Sequence, residues 1–85
     1  MSRWHGKVTV TLKPSVNDPQ GLAVYEGLKT LGFEEVTSVR VGKHIDVILD
    51  SPTEEDARRR LAEMCESLLA NTIIETYKIE VSKGE

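Results

Sequence analysis

The chain has 85 residues, 39% hydrophobic and 29% charged, and its eleven basic and fourteen acidic side chains leave a net charge of −3. That length holds one domain with a modest core, and the interspersed charges give no basic face of the kind that binds nucleic acid. The single cysteine, Cys65, excludes an intrachain disulfide and a thiol-pair metal or redox site. No apolar run nears the ~20 residues of a membrane span.

No signal-peptide core follows Met1-Ser2-Arg3-Trp4-His5, so the cytosol is the expected compartment. Residues 7–13 alternate strictly, with Val8, Val10 and Leu12 on one side and Lys7, Thr9, Thr11 and Lys13 on the other. This predicts a strand with one covered face, ended by Pro14. A turn over 17–21 leads into a helix with Asp18 as its cap and Pro19 at its first position. Val24, Leu28 and Leu31 form the helix's apolar stripe, and Gly32 suits a left-handed C-cap with Phe33 folding back over the last turn.

Residues 36–50 predict two strands joined by a tight Gly42-Lys43 turn. Thr37, Val39 and Val41 share one side of the first; Ile45, Val47 and Leu49 share one side of the second. A second helix starts at Ser51-Pro52-Thr53-Glu54, with Ser51 as cap, or Thr53 with Asp56 in a rival frame. Ala57, Leu61, Met64, Cys65, Leu68 and Leu69 make its buried stripe, and Asn71 is a candidate left-handed C-cap. Residues 73–82 predict the last strand, followed by a polar tail over the final three residues.

The order is βαββαβ, an α+β, ferredoxin-like arrangement: a four-stranded antiparallel sheet with both helices on one face. The other face carries Thr9, Thr11, Arg40, His44, Asp46 and Ile48. It is expected to be covered by a second subunit, which so small a core would benefit from.

No catalytic set emerges. His5 and His44 lack carboxylate or cysteine partners at metal-ligand spacing. Cys65 lies on the apolar stripe and reads as a small buried hydrophobe. Arg58, Arg59 and Arg60 have acidic residues at helical spacing and read as a paired, solvated face. Gly42-Lys43 is too short for a phosphate loop. In Asp18-Pro19-Gln20-Gly21 the cap explains Asp18 but not Gly21, which weakens a first turn; glycine there points to close approach of another backbone.

Taken together, these stretches resemble a known family. The blocks are Val10-Thr11-Leu12-Lys13 with Val16-Asn17-Asp18-Pro19-Gln20-Gly21; Ala23-Val24, Leu28, Leu31-Gly32-Phe33 and Val36; Val39-Arg40-Val41-Gly42-Lys43; and Met64-Cys65-Glu66-Ser67-Leu68-Leu69-Ala70-Asn71-Thr72 running into Ile74-Glu75-Thr76-Tyr77. They look like the PurS-type small subunit of phosphoribosylformylglycinamidine synthase. The match runs from about Lys7 to Val81. The resemblance implies a subunit without an active site or cofactor of its own. It would join a glutaminase subunit, which releases ammonia, to a large synthetase subunit, where ATP and magnesium are expected, and would self-associate as a homodimer or homotetramer.

Within the blocks, the polar and glycine positions at turns and strand ends are the candidate partner-binding residues: Asp18, Gln20, Gly21, Arg40, Gly42, Lys43, Asn71 and Glu75. An ACT-like small-molecule-binding regulatory module shares the strand order and is the alternative. An acylphosphatase-type enzyme needs a phosphate-gripping arginine after the first strand, and residues 14–20 contain none. The central strands also lack the aromatic pair of an RNA-recognition module.

Overall fold

The computed structural model describes residues 1–84; Glu85, the end of the expected polar tail, lies outside the described residues. The elements are β1 (Ser2–Leu12), α1 (Pro19–Thr30), β2 (Gly42–Ser51), α2 (Glu54–Met64) and β3 (Glu75–Lys83), with a π-helical turn, Cys65–Leu69, extending α2. The three strands form one antiparallel sheet in the order β2-β1-β3.

β1 begins five residues before the expected start. Trp4 and Gly6 continue the inward face set by Val8 and Val10, but Gly6 has no side chain and interrupts the hydrophobic alternation. Its space is taken by Leu61: a Cβ on Gly6 would lie 2.5 Å from Leu61 Cδ1. Trp4 is buried, and its indole Nε1–H donates to the Ser51 carbonyl at 3.1 Å. Val8 faces Ile45 on one side and Ile79 on the other.

The core lies between this face and α2. Val8, Val10, Leu61 and Cys65 are its fully buried members, and Ile45, Val47, Leu49, Met64, Tyr77 and Ile79 pack partly against them. Four such side chains, at roughly 1.5–3 kcal/mol each, make a small core.

The expected fourth strand is absent from the sheet. Residues 36–41 pair with no strand, and Gly42 carries the chain straight into β2 rather than turning it back. The cause is local. The Val41 amide donates to Asp18 Oδ2 at 2.8 Å, and the Arg40 guanidinium donates to the Lys13 and Val16 carbonyls at 2.9 Å each. The segment is thereby held against the start of α1. Arg40 sits at that junction, off the open sheet face where simple alternation had put it. Gly42 pairs with Thr11 as the first residue of β2, and a Cβ there would strike the Val10 carbonyl oxygen.

α1 forms where the sequence places it. Asp18 Oδ1 accepts from the Gly21 amide at 2.9 Å, and Pro19 follows the cap. Gly32 has φ +97, and the Phe33 amide reaches back to the Leu28 carbonyl at 3.0 Å, a Schellman ending. But α1 makes no substantial contact with the sheet or α2, so only one helix covers the sheet face instead of two. Its stripe is open to solvent: Leu31 is 74% exposed.

α2 adopts the rival frame. Thr53 is its cap, accepting from the Asp56 amide at 3.1 Å, and Ser51 instead ends β2, buried. Glu54, Glu55 and Asp56 occupy the first turn, where the helix dipole favours them. At the far end the Ala70 amide bonds the Cys65 carbonyl at 3.0 Å. Asn71 is not left-handed, because among the described residues only Gly32 has positive φ. The wider π turn rotates Leu68 off the buried stripe, leaving it 83% exposed, and Ile73 precedes β3 at 81%.

Candidate functional site

The junction between α1, residues 36–41 and the ends of β1 and β2 gathers most of the sequence-predicted residues. Asp18 is its centre and is buried. One carboxylate oxygen caps α1 through Gly21; the other accepts from Val41; Arg40 Nε stands 4.0 Å away. The amide hydrogen bonds from Val41 and Gly21 and the Arg40 charge hold the Asp18 carboxyl below its usual range, against the opposing effect of desolvation. Gly21 is required by space: a Cβ would lie 2.5 Å from Asp18 Oδ2 and 2.6 Å from the Val39 carbonyl oxygen.

Beside this junction a cleft of about 270 Å³ is lined by Asp18, Gln20, Gly42, Lys43 and Glu75, with Val10, Leu12 and Val41 as its apolar part. Asn71 joins through Glu75, whose Oε1 accepts from the Asn71 amide at 2.7 Å and whose own amide donates to the Asn71 carbonyl at 2.7 Å. Arg40 lies on the far side of Asp18, in a second cleft of about 260 Å³ with Asn17, Tyr25 and Thr37. All eight predicted positions thus fall at or beside one end of the sheet, although they come from three separate stretches of chain.

The arrangement is suited to contact rather than to proton transfer. Both Asp18 oxygens are committed to backbone amides, which leaves no free base. Gln20 and Lys43 are exposed and, among the described residues, make no side-chain hydrogen bond or ion pair. They are free to meet another surface. Cys65 is buried, and desolvation, with the Glu66 charge, pushes its thiol upward, away from nucleophilic reactivity.

Two further features were not legible in the sequence. On the open sheet face His5 Nε2 and His44 Nε2 both meet Asp46 Oδ1, at 2.7 and 3.0 Å. These bonds hold the Asp46 carboxyl below its usual range. The strand extension that puts His5 in β1 was hidden by Gly6. Among the described residues no group of three His, Cys, Asp or Glu side chains could hold a metal ion. The second feature is an apolar groove of about 450 Å³ between β2 and the end of α2, lined by Val47, Met64, Leu68 and Leu69 with Arg60 and Glu63. The exposure of Leu68 that opens it follows from the π turn, which has no sequence signature.

The family model for PurS, described as phosphoribosylformylglycinamidine (FGAM) synthase, matches residues 5–83. The chain is 48% identical over 82 residues to phosphoribosylformylglycinamidine synthase subunit PurS of Synechocystis, covering 96% of this chain and 82% of that one. It is 46% identical to the Bacillus subtilis PurS subunit, covering 91% and 90%. Among solved structures, Methanocaldococcus jannaschii PurS, one of the subunits of formylglycinamide ribonucleotide amidotransferase in the purine biosynthetic pathway, superposes with a TM-score of 0.85 at 36% identity, covering 96% and 99%. A chain of the Thermotoga maritima PurLQS structure superposes with a TM-score of 0.88 at 26% identity, covering 96% and 100%. With the family model spanning nearly its full length and a fold shared with solved members, this chain belongs to the PurS family of phosphoribosylformylglycinamidine synthase subunits.

Proposed function

We propose that this chain is the non-catalytic member of a phosphoribosylformylglycinamidine synthase complex in purine biosynthesis, bridging the glutaminase and the ATP-dependent synthetase and assisting ammonia transfer between them. The observation that carries the reading is the full-length likeness to a chain of the PurLQS assembly. It is joined by a site whose only buried carboxylate is spent on backbone amides.

The physical need for such a subunit is clear. Ammonia at neutral pH is mostly protonated and no longer nucleophilic, so the two active sites must be aligned and shielded from water. A small rigid domain with docking surfaces supplies alignment without acid–base residues of its own. ATP and magnesium belong on the synthetase. The docking residues are Asp18, Gln20, Gly21, Arg40, Gly42, Lys43, Asn71 and Glu75, with the free side chains of Gln20 and Lys43 making direct contact and Asp18, Gly21 and Arg40 shaping the junction. The chain works in the cytoplasm as a homodimer or homotetramer; no helix of the described residues is long and apolar enough to cross a membrane.

Reconstitution tests the reading. Glutamine-dependent turnover of the glutaminase and synthetase should require this chain, while turnover with added ammonium should depend on it less. Full glutamine-dependent activity in its absence would reject the proposal.

A further inference from the structure

We infer that Arg58 closes the outer edge of β3, so that no further strand adds to the sheet on that side. The device is independent of the docking residues proposed above.

β3 is an end strand, bonded only to β1. Such a strand presents a row of unpaired N–H and C=O groups that another chain can pair with. The register shows which groups these are. The Lys13 amide donates to the Ile74 carbonyl and the Gly84 amide to the Arg3 carbonyl, both at 2.8 Å. Residues of even number therefore turn their backbone groups towards β1, and Glu75, Tyr77, Ile79, Val81 and Lys83 turn theirs outward. Composition makes this edge a liability. Tyr77, Ile79 and Val81 are aromatic or β-branched and half-buried, and β3 runs for nine residues.

Two contacts occupy the edge. At its start the Glu75 amide donates to the Asn71 carbonyl at 2.7 Å. At its midpoint Arg58 Nη1, reaching across from α2, donates to the Ile79 carbonyl at 3.1 Å. Arg58 departs from the paired, solvated role expected of the three consecutive arginines. Arg59 pairs with Asp56 and Glu63, and Arg60 with Glu63. Arg58 makes no ion pair among the described residues, and its hydrogen bond goes to the edge. A strand adding there would need the Ile79 carbonyl for its ladder and would have to displace the guanidinium. It would otherwise bury that charge without a carboxylate partner, which is costly. The usable edge is thereby cut into short pieces around Tyr77 and Val81.

Arg58→Met keeps the length and the apolar stem of the side chain and removes its charge and donors. Sedimentation and amide hydrogen exchange of the full chain, each over a range of concentration, test the inference. In the parent the Tyr77, Ile79 and Val81 amides should exchange freely at every concentration. In R58M, species larger than the parent's own should grow with concentration, and these three amides should slow by roughly tenfold or more. The circular dichroism should match the parent. If R58M does not fold, Arg58→Gln, which stays polar on the helix surface, takes its place with the same expected results. Unchanged sedimentation and exchange in the variant would overturn the inference. So would association that leaves the three amides exchanging freely, because the new contact would then lie elsewhere. Slow exchange of these amides in the parent would overturn it too, since the edge would already be paired.

Discussion

Asp18 is where single residues matter most. It closes the start of α1 and ties down residue 41 with one carboxylate, so its loss should loosen α1 and residues 36–41 and spare the sheet. In Asp18→Ala, amide hydrogen exchange across α1 should quicken by about tenfold, while the amides of β1 keep their protection. Gly21→Ala should act similarly, since the added Cβ would meet both Asp18 and the Val39 carbonyl. The pH dependence has a definite sign. A carboxyl lowered in the folded state stabilises it above the unfolded value, near 3.9, and loses that contribution as pH falls through the folded value. The start of α1 should therefore be held at pH 6 and should loosen only as the pH falls below the unfolded value and on through the lower folded one, read as exchange protection of α1. Asp46, lowered by His5 and His44, has the same sign and contributes to loss of the β1–β2 pairing over the same acid range.

At the scale of elements, the contact that organises the core is α2 on β1. Leu61 fills the space that Gly6 leaves, so the two residues behave as a unit. Leu61→Ala should cost about 2–5 kcal/mol, and Gly6→Ala about 1–3 kcal/mol through overpacking. In the double variant the new methyl finds the vacated space, and the loss should fall short of the sum of the singles. Urea denaturation of all three variants with the parent checks this; strict additivity would mean that the two sites are independent. The π turn extends the same logic. It keeps Cys65 in the core and turns Leu68 outward, and the Tyr77 hydroxyl, donating to Glu66 Oε2 at 2.7 Å, ties it to β3.

The whole molecule is long and thin. Its extents are 51 × 28 × 14 Å and its radius of gyration is 16.4 Å, against about 12 Å for a compact domain of this length. A chain with so small a core gains from a partner, and the location of its uncovered apolar surface says where. The open sheet face is largely charged: Lys7 sits between Asp46 and Glu80, and Thr9 between His44 and Lys78, with Ile48 an isolated apolar residue. The apolar surface lies instead on α1 and in the groove beside α2. Light scattering at micromolar concentration should give a dimer or a larger species; a monomer would contradict the self-association proposed here.

The sequence by itself determined the local elements, because they rest on short-range chemistry. The alternation around Val8 makes a strand, Asp18-Pro19 starts a helix, and Gly32 ends it, whatever surrounds them. Residue patterns also placed the chain in its family and picked out eight positions that the fold brings to or beside one end of the sheet. What the sequence could not determine was which surfaces meet. Periodicity reports that residues 37–41 are extended and that α1 has an apolar stripe, but not whether each finds its partner within the chain. The tertiary structure decided that through the Asp18 and Arg40 hydrogen bonds, which pin the segment to α1 and hold it off the sheet. It decided the reach of β1 as well, since only Leu61, distant in sequence, explains why Gly6 belongs in a strand.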